Sequence, residues 1–175
     1  CRFRDIPVYA EEYTATRLKN RMPYCFAENL YPGVPHIPLH YIEEGVPFTV
    51  SSMEGNEVEV MPFRVMHGQL PIMGFRIGPM AWITDMSRMP EESYDCLKDL
   101  KLLVMNALRI EPHWTHQSLS EALEQTQRIH AEKTYFIHMS HQIGLHAKVQ
   151  AQLPENACLT YDGLQLEVDE SGKMK

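Results

Sequence analysis

The sequence predicts an α/β protein built on a layered sheet of mixed strand direction. Short apolar or alternating runs, separated by glycine, proline and polar residues, come first as a meander. From Ser118 onward such runs alternate with segments of helical spacing. A continuous apolar run, Leu102 to Leu108 with one asparagine, suits a strand covered on both faces.

Taken in order, Ile6 to Tyr9 reads as a strand and Glu11 to Arg21 as a helix. NLYPGVPHIPLHYIEEG, dense in proline and glycine, reads as an irregular connection. VPFTV and EVEVMPFRVMHG flank the turn MEGN as a hairpin, and FRIGPMAWITDM supplies two more strands around Gly78 and Pro79. Ser118 and Glu121 form a capping box, after which Leu119, Ala122, Leu123, Thr126 and Ile129 recur at helical spacing. TYFI is the next strand, GLHAKVQAQL a short helix, ACLTYDGLQLEV a closing pair of strands and SGKMK a frayed tail.

A chain of 175 residues can bury about 70 % of the surface its unfolded form exposes, so residues 1–175 are expected to form a single domain. The opening CRFRDIPVYA lacks an initiator methionine and resembles the middle of an α/β protein, which implies an N-terminally incomplete domain. No run approaches the ~20 apolar residues that span a bilayer, and no signal-peptide core is present; a soluble cytoplasmic protein with no membrane partner is expected. The net charge of −7 argues against nucleic acid as a partner, because few counterions would be released on binding. The four cysteines form no C-x-x-C pair, so neither a zinc ribbon nor a redox dithiol is written here. The eleven methionines read as gap-filling core.

Nine histidines are the unusual component. His67 follows VMPFRVM, Asp85 follows AWIT and His138 follows TYFI; each is the first strongly polar residue after an apolar strand. Ligands collect at the carboxyl ends of strands in open sheets, so the two imidazoles and the carboxylate are candidates for one metal centre. Each alone has an ordinary reading as a satisfied polar residue or turn former. His116 lies just before the cap Ser118, near unpaired amide hydrogens, where an anion and a neutral imidazole are favoured. The other reading is a loop histidine open to water. His113 and His146 are weaker cases, and His36, His40 and His130 read as solvated.

In this order, VMPFRVMHGQLPIMGFRIG, AWITDM, LLVMNALR, THQSLSEALE, FIHMSHQIGLHA and LTYDGLQL resemble the C-terminal two thirds of the metallo-β-lactamase-fold hydrolases. Within them the chain resembles the branch containing the phosphoribosyl cyclic phosphodiesterase, over about residues 6 to 168. The resemblance implies part of a four-layered αβ/βα sandwich with two divalent transition metal ions, manganese or zinc, with iron also suiting the donors. It makes His67, Asp85 and His138 metal ligands, with Asp85 bridging the ions, and His116 the general acid. His141 is then a substrate-binding residue or a partner that supports His138. The H-x-H-x-D-H segment of the family is absent from this sequence, so metal in this chain is expected to be reduced or absent and the chain to be an inactive fragment.

The implied reaction is hydrolysis of a small, anionic (cyclic) phosphodiester by a hydroxide held between the two metals, with Asp85 and His116 as catalytic residues. A tRNA 3′-processing-type nuclease on the same fold is the alternative enzyme; a basic RNA-clamping arm would mark it. A non-catalytic half-sandwich that self-associates, as a homo-dimer, is the alternative of another class.

Overall fold

Strand and helix follow each other at the start of the chain, as expected. The computed structural model describes residues 5–29, 32–52 and 55–168; the predicted frayed tail and part of the MEGN turn lie outside them. Strand β1 is Val8–Ala10 and helix α1 is Glu12–Arg21. Glu12 in the first turn and Lys19 and Arg21 in the last complement the helix dipole, and Ala15 is its buried contact. The predicted irregular connection contains a strand, β2, Leu39–Tyr41, which pairs in parallel with β1. Proline flanks conceal it in the sequence, because β2 draws its partner from a distant segment: Val8 N–H donates to Pro38 O at 2.8 Å and Ile42 N–H to Ala10 O at 3.1 Å. These elements belong to one compact unit, Cys1–Val46, and the rest to a second, Pro47–Lys175. The expected single domain, residues 1–175, takes both units together.

The second unit contains a seven-stranded sheet whose spatial order equals its chain order. Strands β3 (Phe48–Ser51), β4 (Glu57–His67), β5 (Leu70–Ile77) and β6 (Met80–Trp82) pair antiparallel. From β6 the pairing is parallel through β7 (Leu102–Asn106), β8 (Lys133–Ile137) and β9 (Ala157–Leu159). Strand β4 is two antiparallel steps from β6, so β4, β6, β7 and β8 run the same way. Their carboxyl ends share one edge of the sheet.

All five residues of β7 are buried, as its unbroken apolar run requires. One face of the sheet, carrying Phe63, Val65, Ala81, Leu103, Met105 and Phe136, packs into the core with Ala122 and Ile129 of helix α2, Leu119–Ile129. Gly74 pairs across from Phe63, and a Cβ there would stand 2.6 Å from the phenyl ring, so only glycine lets the ring lie on the neighbouring strand. The predicted capping box of α2 is present, and Ser118 N–H donates to Glu121 Oε2 at 2.7 Å. No helix among the described residues is long and apolar enough to cross a membrane.

Two expectations change. GLHAKVQAQL is a helix only over α3, His146–Gln150, because Gly144 at φ 105° separates it from the 3-10 turn His141–Ile143. ACLTYDGLQLEV contributes one strand, β9, and not a pair: the chain turns at Tyr161, with Gly163 at φ 89° and Leu164 N–H bonded to Tyr161 O. Leu164 and Leu166 instead line an apolar hollow with Trp82, Val104 and Tyr135 of the sheet. Their alternation reflects burial against a sheet face without strand pairing.

Candidate metal centre

The shared edge gathers the predicted polar residues. His67 is the last residue of β4, Asp85 lies in the loop after β6, and His138 directly follows β8. Asp85 at φ 57° and His138 at φ 59° are left-handed, a conformation that turns each side chain out of the strand direction. Asp and His, with Asn, are the non-glycine residues most enriched there.

The loop carrying Asp85 is held by its neighbours on both sides. Asn106, fully buried at the end of β7, accepts from Met86 N–H and donates to Met86 O, each at 2.9 Å. Gln117 N–H also donates to Met86 O, at 3.0 Å. Towards β4, the Ser87 hydroxyl donates to Met66 O at 2.8 Å and accepts from Gly68 N–H at 3.0 Å. The loop that carries His116 is tied down by Arg109, whose guanidinium donates to Glu111 O, Pro112 O and the Gln142 side chain. That last contact joins it to the turn after His138.

Asp85 Oδ1 stands 3.2 Å from His116 Nε2 and 3.1 Å from His138 Nε2. Donor atoms of Asp85, His116 and His138 all lie within 4.8 Å of one another, making them a group suited to a metal ion among the described residues. The rings of His116 and His138 stack with centroids 5.0 Å apart. His67, expected in the ligand set, sets its ring edge-on to His116 at 4.7 Å. His141 lies in the exposed 3-10 turn. His146 faces the Tyr161 ring at 6.4 Å and lies outside the donor cluster.

Both nitrogens of His116 are engaged. Thr115 N–H points at His113 Nδ1 at 3.3 Å, which makes that nitrogen an acceptor. His116 Nδ1 lies 2.8 Å from the Thr115 hydroxyl and 3.3 Å from His113 Nδ1, and a tautomer with its proton on Nδ1 would donate to this pair. In that neutral tautomer the Nε2 lone pair faces the Asp85 carboxylate, whereas a proton on Nε2 makes the hydrogen bond to Asp85. Two acceptors 3.2 Å apart repel unless a cation or proton lies between them. With a side chain only 13 % exposed, His116 is pushed below the ordinary imidazole value, first by burial; the hydrogen bond to Asp85 opposes this, and His67 and His138 add to the lowering. The nitrogen and oxygen donor set and this acceptor pairing fit a divalent transition metal.

The sequence marks His113 only weakly, and assigns no role to Thr115 or Asn106. The signal for Asn106 was present: a lone amide inside a buried apolar run must find hydrogen-bond partners.

Residues 1–139 match the family profile of the Beta-lactamase superfamily domain. A curated relative, an octanoyltransferase of Porphyromonas gingivalis (strain ATCC BAA-308 / W83), is 37 % identical over 173 residues, covering 98 % of this chain and 34 % of its own. A diphosphatase from the PhnP family is 30 % identical with a TM-score of 0.80, covering 95 % of this chain and 60 % of that one. Zinc-bound PqqB from Methylobacterium extorquens is 14 % identical with a TM-score of 0.66, covering 92 % of this chain and 64 % of that one. The short form of human tRNase Z is 14 % identical with a TM-score of 0.62, covering 93 % of this chain and 68 % of that one. The chain thus spans about a third of the curated relative's length. Members of this fold family are metal-dependent hydrolases that bind divalent metals, and the mixed sheet and strand-end donors described above agree with that pattern. By the extent of the family match and by its fold, the chain belongs to the metallo-β-lactamase-fold hydrolases.

Proposed function

We propose that the protein containing this chain is a metal-dependent phosphodiesterase acting on a small anionic phosphodiester or diphosphate ester. The observation that carries this reading is the single Asp85 oxygen set between two imidazole nitrogens at the strand ends. The likeness to a PhnP-family diphosphatase supports the substrate class. The net charge of −7 disfavours a long polynucleotide, whose binding needs many cationic contacts. The likeness to tRNase Z, at 14 % identity, is one of fold alone.

His67, Asp85 and His138 are proposed to hold two divalent ions, with manganese, zinc and iron all suiting these donors. Such a centre, when bound, supplies charge stabilisation at the phosphoryl oxygens and a water acidic enough to react near neutral pH. Asp85 lies between the two imidazoles and is the residue suited to bridging. Thr115 and His113 occupy Nδ1 of His116, leaving Nε2 to take up a proton and pass it to the departing oxygen. Burial around His116 keeps water from competing for that proton.

The full-length protein tests these roles with bis(p-nitrophenyl) phosphate as substrate and elemental analysis for metal. His138→Ala should lose metal, whereas His116→Ala should keep its metal and lose about 10²–10⁴ in turnover. Unchanged metal in His138→Ala removes it from the ligand set. Metal loss in His116→Ala would instead make His116 a ligand, as its place in the donor cluster also allows.

A further inference from the structure

Beside the metal centre lies a recess of about 380 Å³ that the proton transfer above leaves unused, walled by Gly68, Gln69, Arg88, His113, Trp114 and His116. Trp114 is 76 % exposed, although indoles are usually largely buried. The ring is nevertheless seated. Its Nε1 lies 3.3 Å from where a Cβ on Gly68 would stand, and Gly68 at φ 62° leaves that space open.

Arg88 forms a second wall. Its main chain is anchored by Met66 N–H donating to Arg88 O at 2.9 Å, yet its guanidinium has no hydrogen bond or ion pair among the described residues. Elsewhere in the unit, Arg128 pairs with Glu91, Lys101 with Glu132 and Lys98 with Asp95. In a chain of net charge −7, an unpaired cation next to the reacting centre is available to an anion. The Gln69 amide is likewise without a partner among the described residues. The carboxylate on the wall, Glu121, is engaged by the N–H and hydroxyl of Ser118, at 2.7 and 2.6 Å.

An exposed indole offers a stacking surface, a free guanidinium matches phosphate oxygens in a paired geometry, and an amide can read the edge of a heterocycle. One ligand class carries all three complements. We propose that this recess binds a nucleotide moiety, its base stacked on Trp114 and its phosphate on Arg88, as the leaving-group side of the ester. Its place in the reaction rests on the hydrolase reading, but the binding of a nucleotide does not.

Calorimetric titration of the full-length protein with adenosine 5′-monophosphate, adenosine and ribose 5-phosphate tests this. The nucleotide should bind at least ten-fold more tightly than either component. Trp114→Ala should weaken it by ten-fold or more, the loss expected for a base–aromatic stack, and Trp114→Phe should recover most of it. Arg88→Ala should weaken the nucleotide by a similar factor and leave adenosine unaltered. Binding equal to that of ribose 5-phosphate, or nucleotide affinity unchanged in Trp114→Ala and Arg88→Ala, overturns the proposal. So does a dimer that buries Trp114 and excludes the nucleotide. Absent turnover of bis(p-nitrophenyl) phosphate alongside intact, Trp114-dependent nucleotide binding would reject the hydrolase reading and keep the recess.

Discussion

Replacing Asn106 by alanine should unfold the edge of the sheet that presents Asp85. The carboxamide makes two hydrogen bonds of 2.9 Å to the two main-chain groups of Met86, a residue with no exposed surface. The consequences for those groups differ. Met86 O keeps a second donor, Gln117 N–H at 3.0 Å, so its loss costs an ordinary net hydrogen bond, ~0.5–1.5 kcal/mol. Among the described residues Met86 N–H has no other partner and would be left buried and unsatisfied, costing ~1–3 kcal/mol. The sum is about 1.5–4.5 kcal/mol, which in a domain of this size lowers the melting temperature by roughly 3–18 °C. Asn106→Leu keeps a branched side chain but adds volume and restores neither hydrogen bond, so it should cost at least as much. The peptide that Asn106 grips joins Asp85 to Met86, so both variants should also lose bound metal. Chemical unfolding and elemental analysis measure the two effects. A destabilisation below ~0.5 kcal/mol with metal content unchanged would refute this account of how Asp85 is held.

Other perturbations separate the neighbouring contacts. Gly68→Ala places a methyl 3.1 Å from Thr115 Cγ2 and 3.3 Å from Trp114 Nε1 at a left-handed position, and should cost ~1–3 kcal/mol with at least a ten-fold drop in turnover, since the His116 loop must move. Full activity would show that loop to be tolerant. Ser118→Ala removes the side-chain half of the α2 capping box, while the main-chain N–H at 118 can still donate to Glu121, and should lower stability by ~0.5–2 kcal/mol in urea unfolding, with Ser118→Asp recovering part of it. In chelated, metal-free protein, the depressed His116 value means that the unfolded chain takes up this proton first as the pH falls. Stability should therefore be full above the ordinary value of 6.5 and decline as the pH drops below it, and His116→Gln should flatten that slope in denaturation curves recorded across the window.

The strand-end pattern made much of this architecture legible. Apolar runs ending in His67, Asp85 and His138 mark three points on one sheet edge, because parallel strands deliver their carboxyl ends together. His116 was legible through its cap, since Ser118 and Glu121 locate the helix start to the residue. What stayed hidden depends on contacts between segments. The hold of Asn106 on Met86 spans twenty positions, and β2 exists only because β1 lies beside it. The network of Thr115, His113 and His116 is local, but three polar residues within four positions read equally well as a wet loop until their nitrogens are seen to converge. Leu164 and Leu166 misled for the opposite reason: alternation signals a buried face, and a buried face does not require a strand.

The left-handed backbone at Asp85 and His138 bears on how such a protein can decay. At both positions glycine would relax a conformation that costs a side-chain-bearing residue about 1 kcal/mol or more. Loss of either side chain to glycine therefore meets no backbone penalty of its own. Glycine at either position in a related sequence would mark a site whose donor set is incomplete although its backbone is unstrained.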